Sequence, residues 1–164
     1  REPDVSHLVA HYTLDGNPAD SSGNGADGTI ISEPTYEPGV LGQALRLDGN
    51  TWKLQDILPV ALTDTTVWQI AIYAERLGEI QAFGLSDGAN ELLYTFAGEQ
   101  LPQASKWWTV YQGAFPLKQW QPVLLPIGED WLTTFGTLPG AITHLVYVND
   151  ADQGQAGITY EKRF

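Results

Sequence analysis

Between Asp15 and Thr29 the chain sets Asp15, Asn17, Asp20, Ser21, Ser22, Asn24 and Asp27 among Gly16, Gly23, Gly25 and Gly28. These are hard oxygen donors in a backbone that can wrap tightly enough to aim carbonyls inward, which is the material of a calcium loop. The same residue types build ordinary Asx turns, in which side-chain oxygens accept from nearby backbone N–H groups. Both readings stand on the residues alone. If Ca2+ is held, its role is structural and Asp15, Asn17 and Asp20 are its candidate ligands.

Catalytic chemistry has poor material here. Cysteine is absent, so disulfides, thiolate metal sites and cysteine nucleophiles are excluded. The histidines are His7, His11 and His144, and no serine sits in a nucleophile-elbow sequence. A glycosidase on a sandwich fold would place carboxylates at alternate positions of one strand so that they share a face, and no run shows that spacing. Glu129, Asp130, Asp150 and Asp152 fall in expected loops, where carboxylates are usually solvated. His7 and His11 would converge on a metal only on a helix; on a strand they lie about 13 Å apart at ~3.3 Å per residue. The expectation is a protein that is not an enzyme, with no catalytic residues.

The aromatic residues are more informative. Six Trp and seven Tyr occur, and neutral sugars bind by laying their C–H faces on such rings while amide and carboxylate edges take the hydroxyls. Which rings point outward follows from strand parity. In the run 106–112 (KWWTVYQ) adjacent tryptophans must face opposite ways, so Trp108, sharing a face with Val110, is assigned to the core, and Trp107 with Tyr111 outward. Trp120 opens a strand and Trp131 is placed in the loop after it, both within a ligand's reach. Trp68, in phase with Ile70 and Ile72, is assigned to the core, and the shared face of Leu92, Tyr94 and Phe96 reads more naturally as core than as platform, with Tyr94 open between the two; Trp52 fits either place. The candidate ligand-binding set is Trp107, Tyr111, Trp120 and Trp131.

The elements that must position these residues are strands. No segment sustains a helical apolar period for three turns, and 17 Gly and 10 Pro punctuate the chain. Period-two runs recur at 8–14, 44–47, 67–74, 80–85, 91–96, 107–111, 121–125, 142–148 and 156–160. Ser86 to Asn90 reads as a hairpin turn, Asn149 to Gly154 as the link between the last two strands, and Asp130 to Phe135 as a brief helical turn. Nine or so strands in 164 residues predict one all-β domain, residues 1–164, built as an antiparallel two-sheet β-sandwich of the jelly-roll kind.

The formal net charge of −12 argues against nucleic acid or an anionic membrane as partner, since both need positive charge to displace counterions. It fits an uncharged glycan and an extracellular, calcium-containing setting. No apolar run approaches the ~18 residues of a membrane span. A chain that starts at Arg1 and contains no Met is expected to be a processed protein or a module of a larger secreted or surface-attached one.

Two resemblances sit on these residues. The pattern from Leu8 to Gly49, a strand, then LDGN, ADSSGNG and GQALRLDG, resembles the start of laminin-G-like, concanavalin-type jelly rolls of secreted proteins, over about a quarter of the chain. The later pattern, QWQPVLLPI at 119–127, Asp130-Trp131-Leu132, ITHLVYV at 142–148 and GITYE at 157–161, is similar to the closing strands of galactose-binding-like carbohydrate-binding modules. Both imply a sandwich, a frequent structural calcium and a place beside catalytic domains. The second implies an acidic pair at the terminal strand, where this chain has EKRF at 161–164; Glu161 alone can stand in as a metal ligand. The function these features predict is non-catalytic binding of a neutral polysaccharide through surface aromatics, with a structural or adhesive domain lacking a sugar site as the alternative.

Overall fold

The computed structural model describes residues 8–31, 33–98, 100, 107–109, 115–151 and 158–163, the backbone alone for 107–109 and 158–163. Among the described residues the strands are β1 (Gly28–Ile30), β2 (Thr35–Pro38), β3 (Gln43–Leu47), β4 (Thr51–Val60), β5 (Trp68–Ala74) and β6 (Ile80–Ser86). They continue as β7 (Glu91–Ala97), β8 (Trp107–Thr109), β9 (Trp120–Leu125), β10 (Ile142–Asp150) and β11 (Ile158–Arg163), with one helix, α1 (Ile127–Phe135), between β9 and β10. One sheet runs β1-β4-β10-β6-β7-β8 and the other β2-β3-β11-β5-β9. The pairs are antiparallel except β7 with β8, which is parallel. The fold is the two-sheet β-sandwich that the alternating runs predict.

Parity within the strands builds the core. Ile70 and Ile72 of β5, with Leu45 and Leu47 of β3, face Phe83 and Leu85 of β6, Tyr94 of β7 and Tyr147 of β10, all nearly inaccessible. The sheets meet where Trp68 sets its edge against Phe83, ring centroids 4.6 Å apart at 84°. Phe83 in turn stacks on Phe96 at 4.7 Å. Fully burying side chains of this size stabilises by about 1.5–3 kcal/mol each, so the centre of the sandwich is its strongest part.

Local details depart from the expectations or add to them. The run 8–14 is not a strand: Ala10, Tyr12 and Leu14 are buried in alternation, but the segment makes only an isolated bridge from Tyr12 to Asp20 before Leu14 turns left-handed (φ 59°). The longest strand, β4, was not apparent in the sequence. Asn149 to Gly154 does lie between the last two strands, and because β10 and β11 belong to different sheets the link joins one sheet to the other. Glu129 and Asp130 stand not in a loop but in the first turn of α1.

Candidate functional site

The opening loop is closed by hydrogen bonds. Asp20 Oδ1 accepts from the N–H of His11 and of Ser22, and Oδ2 accepts from the Ser22 hydroxyl and the N–H of Ala26, all at 2.8–3.0 Å. A carboxylate has about four lone-pair positions, and these four donors occupy them. Partial burial pushes the Asp20 pKa up, but the donors outweigh it and hold the carboxyl below its ordinary value. Asn17 Oδ1 accepts from Ala19 N–H at 2.9 Å. Asp15 accepts from the N–H of Gln43, nested where a Cβ on Gly42 would collide with its carboxylate at 2.0 Å. Among the described residues no group of three His, Asp or Glu is placed to hold a metal. Glu161 is located only by backbone, opposite Ala71 in the β5–β11 pair.

The ligand-binding candidates separate. Trp131 is corrected: it is 1% exposed and packs on Phe135 at 4.7 Å, so it offers no face to a ligand. The reason is the helix. Ile127, Trp131 and Phe135 recur every four residues, one face of α1, and that face turns into the end of the sandwich. Trp107 is registered on β8 opposite Leu93, which is itself fully buried in a second apolar cluster with Ala82, Val146 and Val148 on the other face of the six-stranded sheet, and Trp108 opposite Tyr94, a core position. Tyr111 lies outside the described residues.

Trp120 keeps a partly accessible ring. It begins β9, an edge strand whose Pro122 has no N–H to give a further neighbour. Register places Trp120, Pro122 and Leu124 opposite Tyr73, Ala71 and Gln69 of β5 on the outer face of the five-stranded sheet. The Tyr73 ring lies 5.5 Å from that of Trp120, the planes tilted by 49°. Lys118 sets up this arrangement, turning left-handed (φ 58°) while its N–H donates to Ala74 carbonyl at 2.9 Å. Lys118 and Gln119, immediately before Trp120 in the chain, are exposed, as is Gln69 at the far end of the same face of β5. The result is a half-buried aromatic ledge rimmed by amide and ammonium groups.

On the opposite face of the molecule, parity along β4 is inverted. Gln55 points into the core, fully buried, and accepts from the Tyr147 hydroxyl at 2.6 Å, while Trp52, Leu54 and Leu58 are 52%, 38% and 56% exposed. Beside them Asp56 pairs with His144 at 3.0 Å. The sequence carried one signal for this strip, the period-two spacing of Trp52, Leu54 and Leu58, masked by the polar residues between.

No family model and no curated protein matches the chain. Some solved structures match over four-fifths or more of the chain. Domain 4 of AbnA, an extracellular GH43 arabinanase from Geobacillus stearothermophilus, in complex with arabinotriose, matches with a TM-score of 0.49 at 16% identity, covering 94% of this chain and 92% of that one. The family 30 carbohydrate-binding module of a cellulosomal cellulase from Clostridium thermocellum matches with 0.47 at 15% identity, covering 94% and 90%. A family 6 carbohydrate-binding module from Clostridium cellulolyticum in complex with xylose matches with 0.40 at 9% identity, covering 80% and 87%. At such scores and identities the likeness transfers neither ligand nor site.

Proposed function

We propose that the chain is a carbohydrate-binding module that takes an uncharged polysaccharide on the outer face of the five-stranded sheet, with Trp120 as the stacking platform and Tyr73 as its brace. The observation that carries this reading is the ledge itself: two aromatic rings held against each other on a sheet face, partly accessible, with exposed Lys118 and Gln119 immediately before Trp120 in the chain. Rings tilted by 49° do not form one plane, which favours a single twisted glycan chain over a flat crystalline surface. The net charge of −12 selects against polyanionic glycans. In this role the domain raises the local concentration of whatever it is tethered to at an extracellular polysaccharide. For the opening loop we infer a hydrogen-bonded turn in place of a calcium site, because Asp20 has its four acceptor positions filled. Affinity electrophoresis on a panel of neutral and charged polysaccharides tests the reading; retardation on none of them overturns it.

A second reading, an adhesive domain with no sugar site, draws on the exposed strip of Trp52, Leu54 and Leu58, since contiguous apolar surface marks contact with other proteins. Absence of glycan binding together with self-association lost in Leu58→Glu would support it.

A further inference from the structure

At the end of the sandwich that carries α1, a groove of about 450 Å³ opens between the sheets. Its floor is core: Tyr12, Trp68, Leu85, Ile127, Ile142 and Leu145, none more than 2% exposed. Ile57 and Val60 of β4 form one side, and Val9 and Val67, 42% and 49% exposed, stand at the rim. Among the described residues no ionisable side chain but the Tyr12 phenol lines it, and that hydroxyl is turned away to donate to the Ala26 carbonyl at 2.6 Å. In a protein of net charge −12, an apolar groove without a charged residue is a distinct environment. Its volume lies within the ~300–1,000 Å³ range of small-molecule sites.

The wall on the Leu62 to Val67 side is held in place. Thr63 N–H donates to the Thr66 hydroxyl at 2.8 Å, and Thr66 N–H donates to the Thr63 carbonyl at 3.1 Å. Gly128 of α1 donates its N–H to the Thr66 carbonyl at 3.0 Å. A Cβ at Gly128 would sit 1.9 Å from the Thr63 carbonyl oxygen, so the helix and this loop meet through bare backbone. A preformed wall lowers the ordering cost of binding, and the Thr63 hydroxyl, 3.1 Å from that of Thr65 and 3.0 Å from that of Thr66, gathers the three into one polar edge.

We propose that this groove is a binding site for a small, uncharged, apolar molecule of one or two rings' bulk, oriented by a hydrogen bond to the threonine rim. The site is separate from the Trp120 ledge and does not depend on glycan binding. The test is a fluorescence titration of the whole chain with the neutral probe N-phenyl-1-naphthylamine. The expected result is saturable one-to-one binding with blue-shifted emission and a rise in the thermal midpoint, as for any ligand that binds only the native state. Val67→Arg, at the exposed rim, is expected to weaken binding at least tenfold with the unliganded midpoint unchanged; if that variant is itself destabilised, Thr65→Arg on the same rim is measured in its place. Trp52→Ala, on the exposed strip of β4, is expected to leave the titration as it was. No saturable binding, binding indifferent to the rim substitution, or binding lost in Trp52→Ala would each overturn the proposal.

Discussion

The Tyr94 hydroxyl donates a 2.7 Å hydrogen bond to Asp130 Oδ2, joining strand β7 to the first turn of α1 at a point where both residues are buried. Burial, with Glu129 adding to it, raises the Asp130 pKa above the ordinary carboxylate value although the Tyr94 bond acts to lower it. The same burial raises the tyrosine. This contact fixes the helix that closes one end of the sandwich.

Tyr94→Phe removes the donor and leaves the Asp130 carboxyl buried without it, which is expected to cost about 1–3 kcal/mol in urea unfolding. The pH dependence has a definite sign. The native carboxyl keeps its proton to higher pH than the unfolded one, which titrates near 3.9, so this group's contribution falls as pH rises from about 4 through the raised native value. Asp130→Asn is expected to flatten that decline; an unchanged slope would show that Asp130 does not carry it.

Asp20 has the opposite sign. Its hydrogen bonds hold the native pKa below the ordinary value despite partial burial. Its contribution is therefore present above about pH 4 and lost as pH falls through the depressed native value. Asp20→Ala orphans the N–H groups of His11, Ser22 and Ala26 and is expected to cost about 1–2 kcal/mol, read as a lower urea midpoint that falls less steeply than the parent's as pH drops below about 4.

Calcium is expected to leave the thermal midpoint unchanged relative to EDTA. A native-state site at a hundredfold excess of ligand over Kd would add ~2.7 kcal/mol, or about 5–10 °C for a domain of this size. A rise of that order would restore the ion to the opening loop.

The two tryptophans of the second half are expected to fail differently. Trp120→Ala should leave the thermal midpoint nearly as it was and weaken glycan binding about tenfold or more, some 1.4 kcal/mol. Trp131→Ala should instead destabilise the fold by about 3–5 kcal/mol. Glycan affinity that survives Trp120→Ala intact would move the site away from the ledge.

Alternation in the runs containing Trp68, Leu92 and Phe96 sufficed to place those residues in the core of an all-β sandwich, because burial of large apolar side chains dominates and strand period is two. The absence of thiols and the net charge are likewise properties of the chain itself. Tertiary structure decided the rest. β4 shows why: Gln55 enters the core because Tyr147 on a neighbouring strand supplies a donor, and Trp52 and Leu54 are left outside, an inversion that depends on a partner 92 residues away. Trp131 was drawn inward by a helix whose docking depends on Tyr94 and on Thr63 and Thr66, all distant in the chain. Asp20 became a hydrogen-bond hub when His11 and Ala26 were brought to it from either side. Local composition states what each residue can do; the packing of distant segments determines which of its partners it meets.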